Sequence, residues 1–289
     1  MLNKPSAGPS NLWFALTGFW NRPVALFFLF FFVFFVSGCS KKPQIAAAGE
    51  PETEREAFIG DFWQYSFGEA GLPRSLADKI AKAAAEGPDF IMELLAILEQ
   101  DSFLYALVDK QHALPASYAP ADLAGLSNGV YKVTRDGLKL REAAAALEEM
   151  AAAAQAEGVS FTVASAYRSY DYQVEVYNRV VKEIGQEAAD RESARGGHSQ
   201  HQTGLALDFY PIDDSFAKTA ASEWLTKNAV RFGWSISFPD GYEAITGYRW
   251  ESWHYRYVGK DLALFIDKYF DGIQQYALQF IHAWVGSSG

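Results

Sequence analysis

The residues best equipped for chemistry lie in two short stretches, Ser199-Gln200-His201-Gln202-Thr203-Gly204-Leu205-Ala206-Leu207-Asp208 and Glu251-Ser252-Trp253-His254. Two imidazoles and one carboxylate are three protein ligands for a catalytic zinc. They leave a fourth position open for water, and a further Glu stands ready as the base. That donor set predicts a hydrolase. Taken singly, each residue has a plainer reading. His201 would be a surface histidine in a Gly-containing loop, Asp208 the end of a strand, His254 a hydrogen-bonded core histidine and Glu251 a solvated acid. Asp208 shifts the balance, because its strand neighbours Leu205, Leu207 and Phe209 are apolar and a buried carboxylate needs a partner or a metal. His198 competes with His201 for the ligand role, and the spacing to Asp208 and the position of Gly204 favour His201. His112 and His282 lie far from both stretches and read as structural.

These side chains need elements to hold them. Thr203-Gly204 suggests a turn leading into a strand at 204–209, so His201 and Asp208 would reach one ion from adjoining backbone segments. The run 249–258 is aromatic and β-rich, and would line a pocket around His254 with little water. Upstream, Leu76, Ile80, Ala83 and Ala84, then Ile91, Leu94, Leu95 and Leu98, recur at helical spacing on either side of Gly87-Pro88. A strand is expected at 104–108, a helix at 140–156 ended by Gly158, a strand at 161–165, and helices at 171–184 and 223–232. Short strands and helices mix without a regular βαβ repeat, which predicts an α+β fold.

The formal net charge of -10 argues against a nucleic-acid surface. One Cys permits no intramolecular disulfide and no Cys-rich metal site. That Cys closes an uncharged apolar run at 24–36, with Arg22 before it and Ser37-Gly38 after it. The arrangement resembles a bacterial lipoprotein signal, and the resemblance implies cleavage before Cys39 and acylation of that residue, a firm membrane anchor. An uncleaved signal anchor is the alternative, and either reading puts the remainder outside the cytoplasm. The expected division is a signal at 1–39, a tether at 40–57, a small helical subdomain at 58–102 and the zinc-bearing domain at 103–289.

The combination of Ser199, His201, Gly204, Ala206 and Asp208 with Glu251, Trp253 and His254 resembles the zinc peptidases of the D-alanyl-D-alanine carboxypeptidase and dipeptidase family, the VanY-like group. The similarity spans residues 104–257 and includes Leu114-Pro115 through Leu123 and Ser165-Ala166-Tyr167-Arg168-Ser169. It implies a small antiparallel sheet with flanking helices, of the LAS or hedgehog type. It also implies that His201, Asp208 and His254 hold Zn2+ and that Glu251 is the catalytic base. By the same match Arg168 holds the substrate and stabilises charge at the scissile carbonyl, while Gln173 and Ser199 contact the peptide end. Arg168 read alone would equally cap a strand end or pair with a surface carboxylate. Gln200 departs from the pattern, since a Glu is common before the His. The implied substrate is the peptidoglycan stem peptide, shortened by a terminal D-alanine. An L,D-carboxypeptidase acting on tetrapeptide stems and a non-catalytic wall-binding lipoprotein are the alternatives.

Overall fold

The computed structural model describes Gly68 and residues 70–286. The expected signal with Cys39, the tether at 40–57 and the opening of the 58–102 stretch lie outside those residues. Pro73 opens α1 (Arg74–Glu86), and Gly87-Pro88 separates it from α2 (Asp89–Leu98). Proline suits a helix start, because its φ is already helical and its missing N–H would be unpaired there anyway. The buried stripe of α1 is Leu76, Ala77, Ile80, Ala81 and Ala84, and that of α2 is Phe90, Ile91, Leu94 and Ile97. Leu95, expected on the buried face, is 48% exposed. The fully buried Phe90 ring sets the rotation of α2 instead, packing at 5.1 Å from Phe265 and edge-on at 4.8 Å to Tyr269.

The segment read as a strand at 104–108 is a turn followed by irregular chain. Leu104, Leu107 and Val108 are buried, as the apolar run requires, but their backbone meets a side chain rather than a strand. Arg256 donates from Nη2 to the carbonyls of Phe103, Leu104 and Ala106, at 2.8, 3.4 and 2.9 Å. Buried carbonyls must be paired, and a guanidinium can pair them as well as a ladder can.

The rest alternates short strands and helices, as expected for α+β. In order they are β1 (Ala124–Gly125), β2 (Lys132–Val133), β3 (Lys139–Leu140), α3 (Ala143–Ala156), β4 (Thr162–Ser165), α4 (Tyr170–Ile184), α5 (Gln186–Glu192) and β5 (Ala206–Phe209). Then come α6 (Ala220–Asn228), β6 (Trp234–Ile236), α7 (Glu243–Thr246), β7 (His254–Tyr257), α8 (Lys260–Tyr269) and α9 (Gln274–Gly286). β1 and β3 form a separate antiparallel ribbon. The main sheet has five strands in the order β2-β4-β5-β7-β6. Only the β2–β4 pairing is parallel.

Two apolar clusters flank this sheet. On one face Leu207 and Phe209 of β5 and Tyr255 of β7 pack with Leu147, Met150, Trp224 and Phe232 from α3, α6 and the turn that follows α6. Because strand side chains alternate, Ala206, Asp208, His254 and Arg256 belong to the opposite face. The second cluster joins Leu76, Ile80, Phe90 and Leu94 to Leu262, Phe265, Phe270, Phe280 and Ile281. The described N-terminal helices therefore share one core with α8 and α9, rather than forming a subdomain with a core of its own.

Candidate metal centre

Three backbone devices bring His201, Asp208 and His254 together. A 3-10 turn at Gln200–Thr203 precedes β5, and the Ser199 hydroxyl caps it by accepting from the His201 N–H at 3.3 Å. Gly204 ends the turn at φ +73°, and a Cβ there would meet Arg141 Cγ at 2.8 Å. Glycine alone satisfies both constraints. Two residues further on, β5 begins and turns Asp208 toward the same side. The antiparallel register then sets Asp208 directly opposite His254 across β5 and β7.

The resulting geometry is compact. His201 Nε2 lies 3.2 Å from Asp208 Oδ2, and His254 Nδ1 lies 3.0 Å from Asp208 Oδ1. The imidazoles stand perpendicular, with centroids 4.9 Å apart. One ligand atom from each residue fits within 4.8 Å of the others. All three side chains are buried.

The other ring nitrogens fix the tautomers. His201 donates from Nδ1 to the carbonyl of Ala166 at 2.7 Å, and His254 donates from Nε2 to Gln200 Oε1 at 3.3 Å. A neutral imidazole has one donor, so His201 Nε2 and His254 Nδ1 both present lone pairs. Burial is the main cause holding the His201 imidazole at about 4, so it is neutral at physiological pH. Asp208 is ionised, and its Oδ2 accepts from the Arg168 guanidinium at 3.1 Å. Three electron-rich acceptors thus converge, and among the described residues His201 Nε2 and Asp208 Oδ1 have no hydrogen-bond partner. Such an arrangement costs several kcal/mol unless a cation sits among the acceptors. The donor set, two imidazole nitrogens and a carboxylate oxygen, suits zinc.

Glu251 stands at the edge of this group, with Oε2 at 3.5 Å from His254 Nδ1. Burial, and then repulsion from Asp208, push its carboxyl well above the ordinary glutamate range, against the pull of Arg168 and Arg249. A raised carboxyl beside a metal group is the signature of a proton carrier. Arg168 reaches the site from the segment after β4, donating to Asp208 Oδ2 at 3.1 Å and to Gln173 Oε1 at 2.8 Å. Gln173 does not meet the expectation of a peptide contact. It is fully buried on α4, and its amide nitrogen is spent on the Ala194 carbonyl at 2.6 Å. Its place is behind Arg168, holding the guanidinium in position.

A cleft of about 520 Å³ opens over the group, lined among others by Arg168, Ser199, Phe238, Tyr248, Glu251 and Trp253. His198 also lines it, but donates from Nδ1 to the Asp109 carbonyl at 2.7 Å and stays outside the metal group. His112 donates to the Asp109 carboxylate at 2.8 Å and meets His282 edge-on at 4.7 Å. Sequence reasoning missed the partners of Gln200: Ser237, which donates to Gln200 Oε1 at 2.7 Å, and Gln274, 3.3 Å from the Gln200 amide nitrogen. No spacing could have found them, because Gln274 stands 74 positions away on another element.

Comparison with known proteins agrees with this geometry. A family model described as D-alanyl-D-alanine carboxypeptidase (VanY) matches residues 138–260. A putative carboxypeptidase of Bacillus subtilis, YodJ, is 35% identical over 196 residues, which cover 63% of this chain and 72% of that protein. A D-alanyl-D-alanine carboxypeptidase of Enterococcus faecalis is 33% identical over 174 residues, 57% of this chain and 62% of the relative. Among solved structures, the LdcB LD-carboxypeptidase superposes with a TM-score of 0.53 at 36% identity, covering 59% of this chain and 86% of that one. A mutant of the vancomycin resistance D,D-pentapeptidase VanY in complex with Zn(II) gives 0.50 at 33% identity, covering 59% and 96%.

Proposed function

This chain belongs to the VanY family of D-alanyl-D-alanine carboxypeptidases, and on that footing we propose that it removes the terminal D-alanine from peptidoglycan stem peptides at the His201–Asp208–His254 centre. The observation that carries the reading is the convergence of three buried acceptors whose donors are committed elsewhere. Zinc held by these three residues supplies Lewis-acid activation of water and of the scissile carbonyl.

The chain's own residues do the rest. Glu251 takes the proton from the attacking water and delivers it to the leaving amine, which requires a carboxyl able to hold a proton between the two steps. Its raised proton affinity provides for that. Arg168, fixed on one side by Gln173, points positive charge at the reacting carbonyl and the nearby carboxylate. Phe238, Tyr248 and Trp253 narrow the cleft and exclude bulk water, which strengthens each of these interactions. The net charge of -10 is no obstacle to an anionic substrate, because local charge dominates at contact distance.

The test is to incubate zinc-loaded protein with a stem pentapeptide ending in D-alanyl-D-alanine and weigh the products. Loss of one alanine is the expected result, and an untouched pentapeptide in the presence of bound zinc would overturn the assignment. The likeness to LdcB favours a second reading, in which the tetrapeptide loses its D-alanine instead. The same assay separates the two.

The enzyme works on the outer side of a bacterial membrane, tethered by lipid on Cys39. The apolar run at 24–36 ending on Ser37-Gly38-Cys39 supports this placement. Cys39→Ala should move the protein from the membrane fraction to the soluble one. Retention on the membrane would replace the lipid anchor with a signal anchor.

A further inference from the structure

The lone pair that His254 offers the metal depends on a hydrogen on its other nitrogen, and that hydrogen needs an acceptor. Gln200 Oε1 is that acceptor. An amide, unlike a carboxylate, accepts at one end and donates at the other. Turned over, Gln200 would present its NH2 group to His254 Nε2. The ring would then accept there, carry its hydrogen on Nδ1 and aim that hydrogen into the metal group.

The orientation of Gln200 is set from elsewhere. Ser235 on β6 offers a main-chain carbonyl, a group that only accepts and has no second orientation. Gln274, in the first turn of α9, donates to that carbonyl from Nε2 at 3.3 Å. Its Oε1 therefore faces away from β6, toward the Gln200 amide nitrogen, from which it accepts at 3.3 Å. Gln200 is left with its oxygen toward His254. Ser237 reinforces this end by donating to Gln200 Oε1 at 2.7 Å, but a hydroxyl can donate or accept and so fixes no direction by itself. Gln200, Ser237, His254 and Gln274 are all buried, and no bulk water can substitute for a missing partner.

We propose that Gln274 is a positioning residue for the metal centre: it carries the polarity of the Ser235 carbonyl through Gln200 to His254 and so selects the metal-binding tautomer. Gln274 lies beyond the 138–260 segment that the family model matches, so α9 is a working part of the site and not an appendage. The inference rests on zinc binding at His201, Asp208 and His254, and is independent of the substrate.

A double-mutant cycle on the full chain, read by zinc affinity in chelator competition, tests it. Gln274→Met keeps length and volume but removes the polarity. It should weaken zinc binding about 10–100-fold, the usual cost of losing a partner that orients a ligand. In a Gln200→Glu background both oxygens of residue 200 accept and one of them faces Gln274 Oε1, so Gln274→Met removes an acceptor–acceptor contact and should leave zinc affinity unchanged or tighter. An equal loss in both backgrounds would make Gln274 a packing residue and overturn the relay, as would no loss in either. A wild-type chain that binds no zinc would instead overturn the metal reading itself.

Discussion

Where α1, α2, α8 and α9 meet, Phe90, Phe265, Phe270 and Phe280 are fully buried among Leu, Ile, Ala, Tyr and Trp side chains. On the polar face of the sheet His201, Asp208, Glu251 and His254 are nearly as dry, yet they meet through polar atoms at 3.0 to 3.5 Å. The helical core is held by removal of apolar area from water, about 25 cal/mol per Å², a term that is non-directional and tolerant of volume-conserving exchange. Each group of the metal centre instead requires one particular partner at one particular angle. Damage to the first region should therefore appear as lost stability with intact chemistry. Damage to the second should appear as lost chemistry with the fold retained.

The largest effect expected is from metal removal. Stripping zinc with a chelator should abolish hydrolysis while the circular dichroism spectrum keeps its helical signal, and added zinc should restore turnover. Collapse of the fold on chelation would break the separation between the regions. Next comes Glu251→Gln, expected to lower turnover by roughly 10²–10⁴-fold with zinc content unchanged by metal analysis. The same residue sets a pH limb. A raised carboxyl keeps its proton to higher pH, and only the carboxylate can accept one from water. In wild type, kcat/KM should thus fall as pH drops through the Glu251 pKa, and the limb should be missing from the variant.

Phe90→Ala attacks the other region. It should cost about 3–5 kcal/mol of stability in denaturant titration, while zinc affinity and kcat/KM of the folded fraction stay at wild-type values. A parallel loss of zinc affinity would show that the two regions are coupled. The smallest effect is at the seam. Ser169 caps α4 by accepting from the Tyr172 N–H at 3.2 Å, next to Arg168. Ser169→Ala should cost about 1 kcal/mol in a melting experiment and leave zinc content untouched.

The two regions also differ in how far the sequence disclosed them. The stripe on α1 is readable because Leu76, Ile80 and Ala84 recur at helical spacing, and α2 is misplaced only because Phe90 outweighs Leu95 in the contest for the interior. Apolar content alone misreads 104–108, since the carbonyls there pair with Arg256 rather than with a strand partner. In the site, His201, Asp208, Glu251 and His254 are legible from residue type and order. Gln173 is not: its type suits a peptide contact, and only its burial assigns it to Arg168.

The sequence by itself determined the donors, the glycine that lets the turn before β5 close, and the segment that brings His201 within reach of Asp208, all of them local matters. The tertiary structure decided which nitrogen of each imidazole faces the metal, how far the Glu251 carboxyl is raised, and that Gln274 from the last described helix takes part at all. Tautomer and proton affinity depend on the direction of hydrogen bonds and on exclusion of water, and both are properties of neighbours in space. Those neighbours, Ala166, Gln200, Ser235 and Gln274, come from four separate segments that meet only when the sheet pairs and α9 docks against it.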